Sequence, residues 1–281
     1  MADRKAYSTD LTDDQWSLIE RFMPARKKQG KPRQVDLREV VNAILYISRT
    51  GCQWRNLPHD LPAKSTVWDY FKRFKKDGTL TRINDALRRQ VRTEAGREAE
   101  PKIAAIDSQT SPTSHQGADS GVDGGKNVKG RKRHIAVCSM GLLLAVVVTA
   151  ANLNEGTQAP SVLGKLSAQT TSRLETVYAD NKYHCKACWE WEARPEVKYR
   201  IVVVKRQGKE FKVLPKRWVV ERTFAWMGYN RRLSKDYERT TSSSEAWCQI
   251  SMIMIHLMVR RLKPSKDVPE FKYPHGGKAV A

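Results

Sequence analysis

"KIAAID", residues 102–107, is where the chain changes character. Ahead of it apolar residues recur at helical spacing; here Ile103, Ala104, Ala105 and Ile106 run together and stop at an acid. A short apolar run closed by one carboxylate reads as a buried strand with its end turned outward. The pattern returns at "ETVYAD", 175–180, which closes on Asp180. Between them "RHIAVCS" (133–139) and "LLLAVVVTA" (142–150) flank Met140-Gly141, the layout of a hairpin. Residues 158–170 and "HCKACWEWEA" (184–193) read as helices, and "YRIVVVK" (199–205) as a further strand. Strand, hairpin, helix, strand, helix, strand, helix predicts an α/β fold, a mixed sheet with helices on its faces.

Upstream the first hundred residues read as helical. Thr12 opens "TDDQWSLIERFM" with capping-box spacing to Gln15, and Asp36 repeats the device with Glu39 in "DLREVVNAILYISRTG". There Val40, Ala43, Ile44 and Ile47 share a face and Gly51 ends the helix. In "STVWDYFKRFKKDG" (65–78) the apolar stripe is Val67, Tyr70, Phe71 and Phe74, with Lys72, Arg73, Lys75 and Lys76 outside it. A fourth helix follows over residues 79–95. Short helices ending in a basic one suit an all-α, helix-turn-helix-like DNA-binding domain over residues 1–100, with Lys72 and Arg73 toward phosphate. A plain bundle with a solvated basic face is the other reading. Residues 101–262 form the expected catalytic unit, closed by the apolar helix "SEAWCQISMIMIHLMVRRL" (244–262), and 263–281 a loose basic tail.

The chain has 281 residues, with 51 Lys and Arg against 30 Asp and Glu, a net charge of +21. Self-repulsion on that scale points to a polyanionic partner, nucleic acid before an anionic membrane. The longest apolar run, "LLLAVVVTAA" (142–151), is half a bilayer span, so no membrane association is expected. Five cysteines, an odd number, read as reduced thiols in a cytosolic protein. "HCKAC" offers His184, Cys185 and Cys188, but a structural zinc ion needs four ligands and no partner motif occurs; thiols on a helix are expected.

Asp107 and Asp180 each end a strand pattern, where sheets of this kind place their sites; if the two strands are neighbours, the carboxylates converge. Two like charges side by side are costly unless a divalent cation holds them. The third acid is Glu221, in the helical stretch "PKRWVVERTFAWMGYNRRLSKDYE" (215–238), with Arg217 one turn behind it and Ala225 and Gly228 ahead on the same face. Three carboxylates suit two Mg²⁺ ions roughly 3.5–4 Å apart, with Mn²⁺ as a substitute, and in-line displacement at phosphorus. Trp226 either fixes that helix or meets nucleic acid. Residues 114–134 read as a flexible cationic loop whose Lys126, Lys129, Arg131, Lys132, Arg133 and His134 suit a phosphate backbone. Arg231, Arg232 and Lys235 extend the basic surface on an expected continuation of the Glu221 helix.

Taken in order, "AAIDSQ", "DGGKNVKGRKRH", "YAD" and "RWVVERTFAW…NRRLSKDYE" resemble bacterial insertion-sequence transposases of the DDE class, in the insertion-sequence-five family. "LTDDQWSLIERFMP…VVNAILYISRTGCQWRNLP" is similar to the helical region ahead of their catalytic core. The resemblance implies an RNase H-like core and a DDE triad at Asp107, Asp180 and Glu221. It also implies two Mg²⁺ ions, double-stranded DNA as partner (terminal inverted repeats and target), and a homodimer or higher oligomer on DNA. The chain departs from the family signature Tyr-x2-Arg-x3-Glu-x6-Lys at Leu214 and Gly228, and reads "DNKY" (180–183) where relatives often carry a glycine before the Tyr. A catalytically silent DNA-binding regulator, and an RNase H-like nuclease that does not join strands, are the alternatives.

Overall fold

The protein is described here by a computed structural model covering residues 4–25, 33–114, 118–204 and 218–259. Helix α1 (Asp13–Ile19) starts at the expected capping box: Thr12 accepts from Gln15 N–H, and the Gln15 side chain answers the Thr12 N–H. Helix α2 (Leu37–Thr50) stops at Gly51, whose φ of 72° a side chain would resist. The second capping box does not form. Asp36 accepts from Arg38 N–H instead, and Glu39 turns aside to pair with Arg4 at 2.7 Å. Helices α3 (Lys64–Lys76) and α4 (Thr79–Glu94) meet at Asp77 and Gly78, with Asp77 accepting from the first N–H of α4.

The sheet comprises β1 (Ile103–Pro112), β2 (Gly121–Asp123), β3 (Val128–Cys138), β4 (Leu143–Ala150), β5 (Thr176–Ala179) and β6 (Arg200–Val203). β3 lies antiparallel to β1 on one edge and to β2 and β4 on the other; β5 and β6 continue parallel from β1. An antiparallel meander with two parallel strands beside its first strand is the RNase H-like sheet expected. Two strands are longer than their apolar runs. β1 continues through Asp107 to Pro112 because β3 supplies partners to Gly130, and β3 begins at Val128 inside the expected loop. The helix expected over 158–170 is two short ones, α5 (Ala159–Leu163) and α6 (Ala168–Arg173). Helix α7 (Lys186–Glu192) precedes β6; α8 (Trp218–Gly228) and α9 (Thr241–Val259) follow it.

Alternation along the strands sends side chains to two separate cores. Ala104, Ile106, Ala136, Cys138 and Val177 join α5 and α7 on one face. Ala105, Ile135, Val137, Leu143 and Val146 join α2, α3, α4, α8 and α9 on the other. That second core is continuous with the amino-terminal helices. Trp247 of α9, fully buried, stacks on Phe71 of α3 at 4.9 Å and meets Trp54 at 5.9 Å. Burial of such a side chain stabilises the fold by about 1.5–3 kcal/mol.

Candidate active site and nucleic-acid surface

The parallel ladder between β1 and β5 pairs Ile103 with Thr176, Ala104 with Val177 and Ala105 with Tyr178. Two residues further along each strand, beyond the last of these pairs, a continuation of this register leads to Asp107 and Asp180; parallel neighbours lie about 4.8 Å apart. Asp180 keeps an extended backbone (φ −84°, ψ 178°), which carries the alternation to it. By that alternation both acids share the face of Ala105 and Tyr178, the face that α8 covers. Backbone donors fix their orientation: Ser108 N–H donates to Asp107 at 2.7 Å and Lys182 N–H to Asp180 at 2.9 Å.

Beside the pair lies Tyr183, fully buried, whose hydroxyl lacks a hydrogen-bond partner among the described residues. Burial pushes its phenol well above the usual value, and the charges of Asp107 and Asp180 push the same way. Glu155, with no signal in its local sequence, is tied to the turn after Asp180. It accepts from Lys182 Nζ at 2.8 Å and lies 3.2 Å from Lys132 Nζ. Burial alone would raise the Glu155 carboxyl, but the bond from Lys182 and its charge outweigh that and hold it at about 2. Glu155 escaped the sequence reading because it sits in no pattern, and Tyr183 was read only as part of "DNKY"; Lys182, two residues past Asp180, is the trace that a counter-charge is near.

Glu221 lies in the first turn of α8. That helix buries Val219, Val220, Thr223, Phe224 and Met227, while Glu221, Ala225 and Gly228 share its exposed side as the spacing predicts. Its start is anchored at the β3–β4 turn, where Thr223 Oγ1 donates to Gly141 O and Arg222 donates to Met140 O at 2.9 Å. Among the described residues, no three His, Cys, Asp or Glu side chains lie close enough to hold one ion. The two aspartates, hard oxygen donors, do fit a divalent cation.

The basic residues divide. Lys126 and Lys129 project to solvent from the β2–β3 hairpin, and Arg231, Lys72 and Arg73 are exposed, with Lys235 half-buried. Lys72 pairs locally with Asp69 at 2.8 Å and Arg73 with Asp77 at 3.7 Å. Arg131, Lys132, Arg133, His134 and Arg232 are buried, against the expectation of phosphate contacts. The first four belong to β3, a strand flanked on both edges and covered on both faces, and all five find partners inside the protein. Arg131 pairs with Asp236 at 3.1 Å, Lys132 donates to Leu153 O, and Arg133 donates to Leu233 O at 2.8 Å. His134 Nε2 meets Thr149 Oγ1 at 2.9 Å, and Arg232 pairs with Glu238. The Glu221 helix ends at Gly228, so Arg231 and Arg232 stand in a separate short turn (Arg231–Leu233) rather than on its continuation. Arg217 lies outside the described residues. Trp226 is half-buried and faces the Arg222 guanidinium, which is sandwiched between Trp218 at 4.3 Å and Trp226 at 4.6 Å.

Comparison with known proteins agrees with this fold: residues 98–257 match the family described as "Transposase DDE domain". The chain belongs to that DDE transposase-domain family; residues 11–84 also match the model described as "Putative transposase of IS4/5 family". A "Putative transposase for insertion sequence element IS402" from Burkholderia cepacia is 33% identical over 138 residues, 45% of this chain and 62% of that one. The "Insertion element IS402 uncharacterized 16.2 kDa protein" of the same organism is 28% identical over 106 residues, 36% of this chain and 71% of its own. This chain thus matches 62% of the length of the first of these relatives. A solved structure, "Crystal structure of the Mos1 Strand Transfer Complex", aligns over 83% of this chain and 79% of its own at 11% identity. Its TM-score of 0.30 is too low to bear on the reading. No described helix is long and apolar enough to cross a membrane.

Proposed function

We propose that the protein binds the terminal inverted repeats of an insertion sequence, cleaves DNA at the element ends and joins the 3′-hydroxyl ends to target DNA. The observation that carries this reading is the β1–β5 register, whose continuation leads to Asp107 and Asp180 on the face covered by the Glu221 helix. Asp107 and Asp180 would hold a divalent ion, Mg²⁺ with Mn²⁺ as substitute, and Glu221 would complete a two-ion site once α8 engages DNA. Bound there, such ions supply charge for in-line phosphoryl transfer by activating the attacking oxygen and stabilising the leaving one. The chain's own part is positional. Ser108 and Lys182 N–H groups aim the two carboxylates, and the Glu155–Lys182 pair steadies the turn after Asp180. Lys126, Lys129, Arg231, Lys235, Lys72 and Arg73 offer cations for the DNA backbone. Pairing of two element ends calls for a homodimer or higher oligomer on DNA.

The experiment is nicking and joining on a DNA end with Mg²⁺. Asp107→Asn and Glu221→Gln should each abolish cleavage while leaving DNA binding nearly intact. Normal cleavage by Glu221→Gln would remove that residue from the site. A second reading, a DNA-binding regulator without catalysis, draws on there being no three acids gathered to hold one ion among the described residues. Binding without nicking by the wild type would establish it. Nicking without joining to a target plasmid would mean a nuclease.

A further inference from the structure

Cys185 and Cys188 follow Asp180 closely and take no part in the chemistry above. Cys185 is half-buried and sits just ahead of α7; Cys188 is buried in the first turn of that helix. Their sulfur atoms lie 3.7 Å apart, and both thiols are free. Cys188 N–H donates to Cys185 O at 3.1 Å. A turn so closed brings the two Cα atoms within about 7 Å, which overlaps the roughly 4.4–6.8 Å that a disulfide spans. Bond formation needs the sulfurs to approach by about 1.7 Å more. Zinc does not account for the pair: with His184 included, no group of three ligating side chains is gathered among the described residues.

The surroundings leave that approach little slack. A Cβ added at Gly156 would lie 2.7 Å from Cys185 Sγ and 2.3 Å from Lys182 O, so the 182–185 segment is pressed directly onto the Gly156 backbone. Cys188 Sγ reaches Gly156 O at 3.6 Å. Lys182 is tied on one side to Glu155 and on the other, through its N–H, to the Asp180 carboxylate. A shift of Cys185 therefore passes through Lys182 to Asp180. Burial pushes the Cys188 thiol up to about 12, which keeps it protonated, whereas Cys185 is the sulfur that solvent reaches.

We propose that Cys185 and Cys188 are a reversible dithiol–disulfide pair, closed by a hydroperoxide, whose closure displaces Asp180 from its place beside Asp107. The Cys185 thiolate attacks the peroxide oxygen; the O–O bond breaks, the sulfur becomes a sulfenic acid and one alcohol or water leaves. Cys188 sulfur then attacks Cys185 sulfur, the S–O bond breaks, and hydroxide leaves as water with the Cys188 proton. Two electrons pass from the dithiol to the peroxide, and a thiol reductant reverses the step. The bond is independent of the proposed function; only its consequence rests on Asp107 and Asp180 holding metal.

Full-length protein treated with hydrogen peroxide, then alkylated and digested, should yield a 185–188 peptide lighter by two hydrogens, restored by dithiothreitol. Mn²⁺ affinity, read from free Mn²⁺ by electron paramagnetic resonance, should fall at least severalfold on oxidation. DNA cleavage should fall by on the order of 10²-fold, as expected for a misplacement near 1 Å. Cys188→Ser should abolish all three responses, and Cys52→Ser none. Absence of the bridged peptide overturns the proposal, as does a bridge that leaves Mn²⁺ affinity unchanged, or equal peroxide sensitivity in Cys188→Ser. Should the reduced protein cleave no DNA, the proposed function fails, while the peptide mass and Mn²⁺ affinity still decide this inference.

Discussion

Replacing Arg131 with Met separates a core ion pair from a DNA contact. Arg131 and Asp236 have no exposed side-chain surface, and the guanidinium also donates to Glu238 O at 2.9 Å, Arg239 O at 3.2 Å, Ser244 Oγ at 3.2 Å and Ala118 O. Methionine keeps the apolar stem but strands a buried carboxylate and four carbonyls, that of Asp119 included. Breaking a buried pair from one side costs about 3–5 kcal/mol. Asp236 retains Ser244 Oγ at 2.7 Å and Glu238 N–H at 3.0 Å, which favours the lower end. At roughly 2–4 °C per kcal/mol for a protein of this size, the melting midpoint should fall by about 10 °C. Arg131→Met/Asp236→Asn should recover part of that loss, because no unpaired charge remains inside. Urea and thermal unfolding give the stability, and gel-shift titrations at two salt concentrations give the DNA term. The reasoning is refuted if Arg131→Met unfolds at the wild-type midpoint while the salt slope of binding drops by about 0.9, the loss of one phosphate contact.

Lys126→Gln with Lys129→Gln, on the exposed hairpin, should show the converse: wild-type stability, weaker binding to all sequences alike, and a salt slope lower by up to about 0.9 per lost contact. His134 gives a pH test. Burial lowers its ring to about 4, against an upward pull from Glu155, so the folded state holds it neutral while the unfolded chain protonates below its ordinary value of about 6.5. Its contribution is complete above that pH and is lost on acidification; from pH 7 to 4.5 the wild type should lose about 2 kcal/mol more than His134→Asn in urea titrations. Equal slopes would place the ring in solvent. A Cβ at Gly130 would lie 2.0 Å from Ser111 O, so Gly130→Ala must push β3 from β1. It should cost about 1–3 kcal/mol by unfolding; an unchanged midpoint would deny that close approach.

Strands β1 and β5 were legible because each is a short apolar run closed by an aspartate; that they pair with one another was not, since three strands and two helices lie between them in the chain. The Thr12 capping box and the Gly51 stop were legible for the same reason: the cause lies within a few residues of its effect. The basic stretch before the hairpin was misread because "GGKNVKGRKRH" has the composition of a solvated loop, whereas Arg131 is neutralised by Asp236, 105 residues away. Arg232 misled similarly; its partner Glu238 is near in sequence, but the break after Gly228 turns it inward. Asp36 and Glu39 have capping-box spacing, yet Arg4 competes for Glu39 from a segment that local spacing does not register. Local rules held where local forces decide.

The core that joins α2, α3 and α4 to α8, α9 and one sheet face has a further meaning. Two family matches tile the sequence, 11–84 and 98–257, as though two parts had been bolted together. The packing denies any seam: Trp247 is gripped by Phe71 and Trp54, and Ile135 shares oil with Leu87. Severed near residue 100, neither half would keep its lining dry, so moving the amino-terminal helices into another protein means carrying α9 along with them.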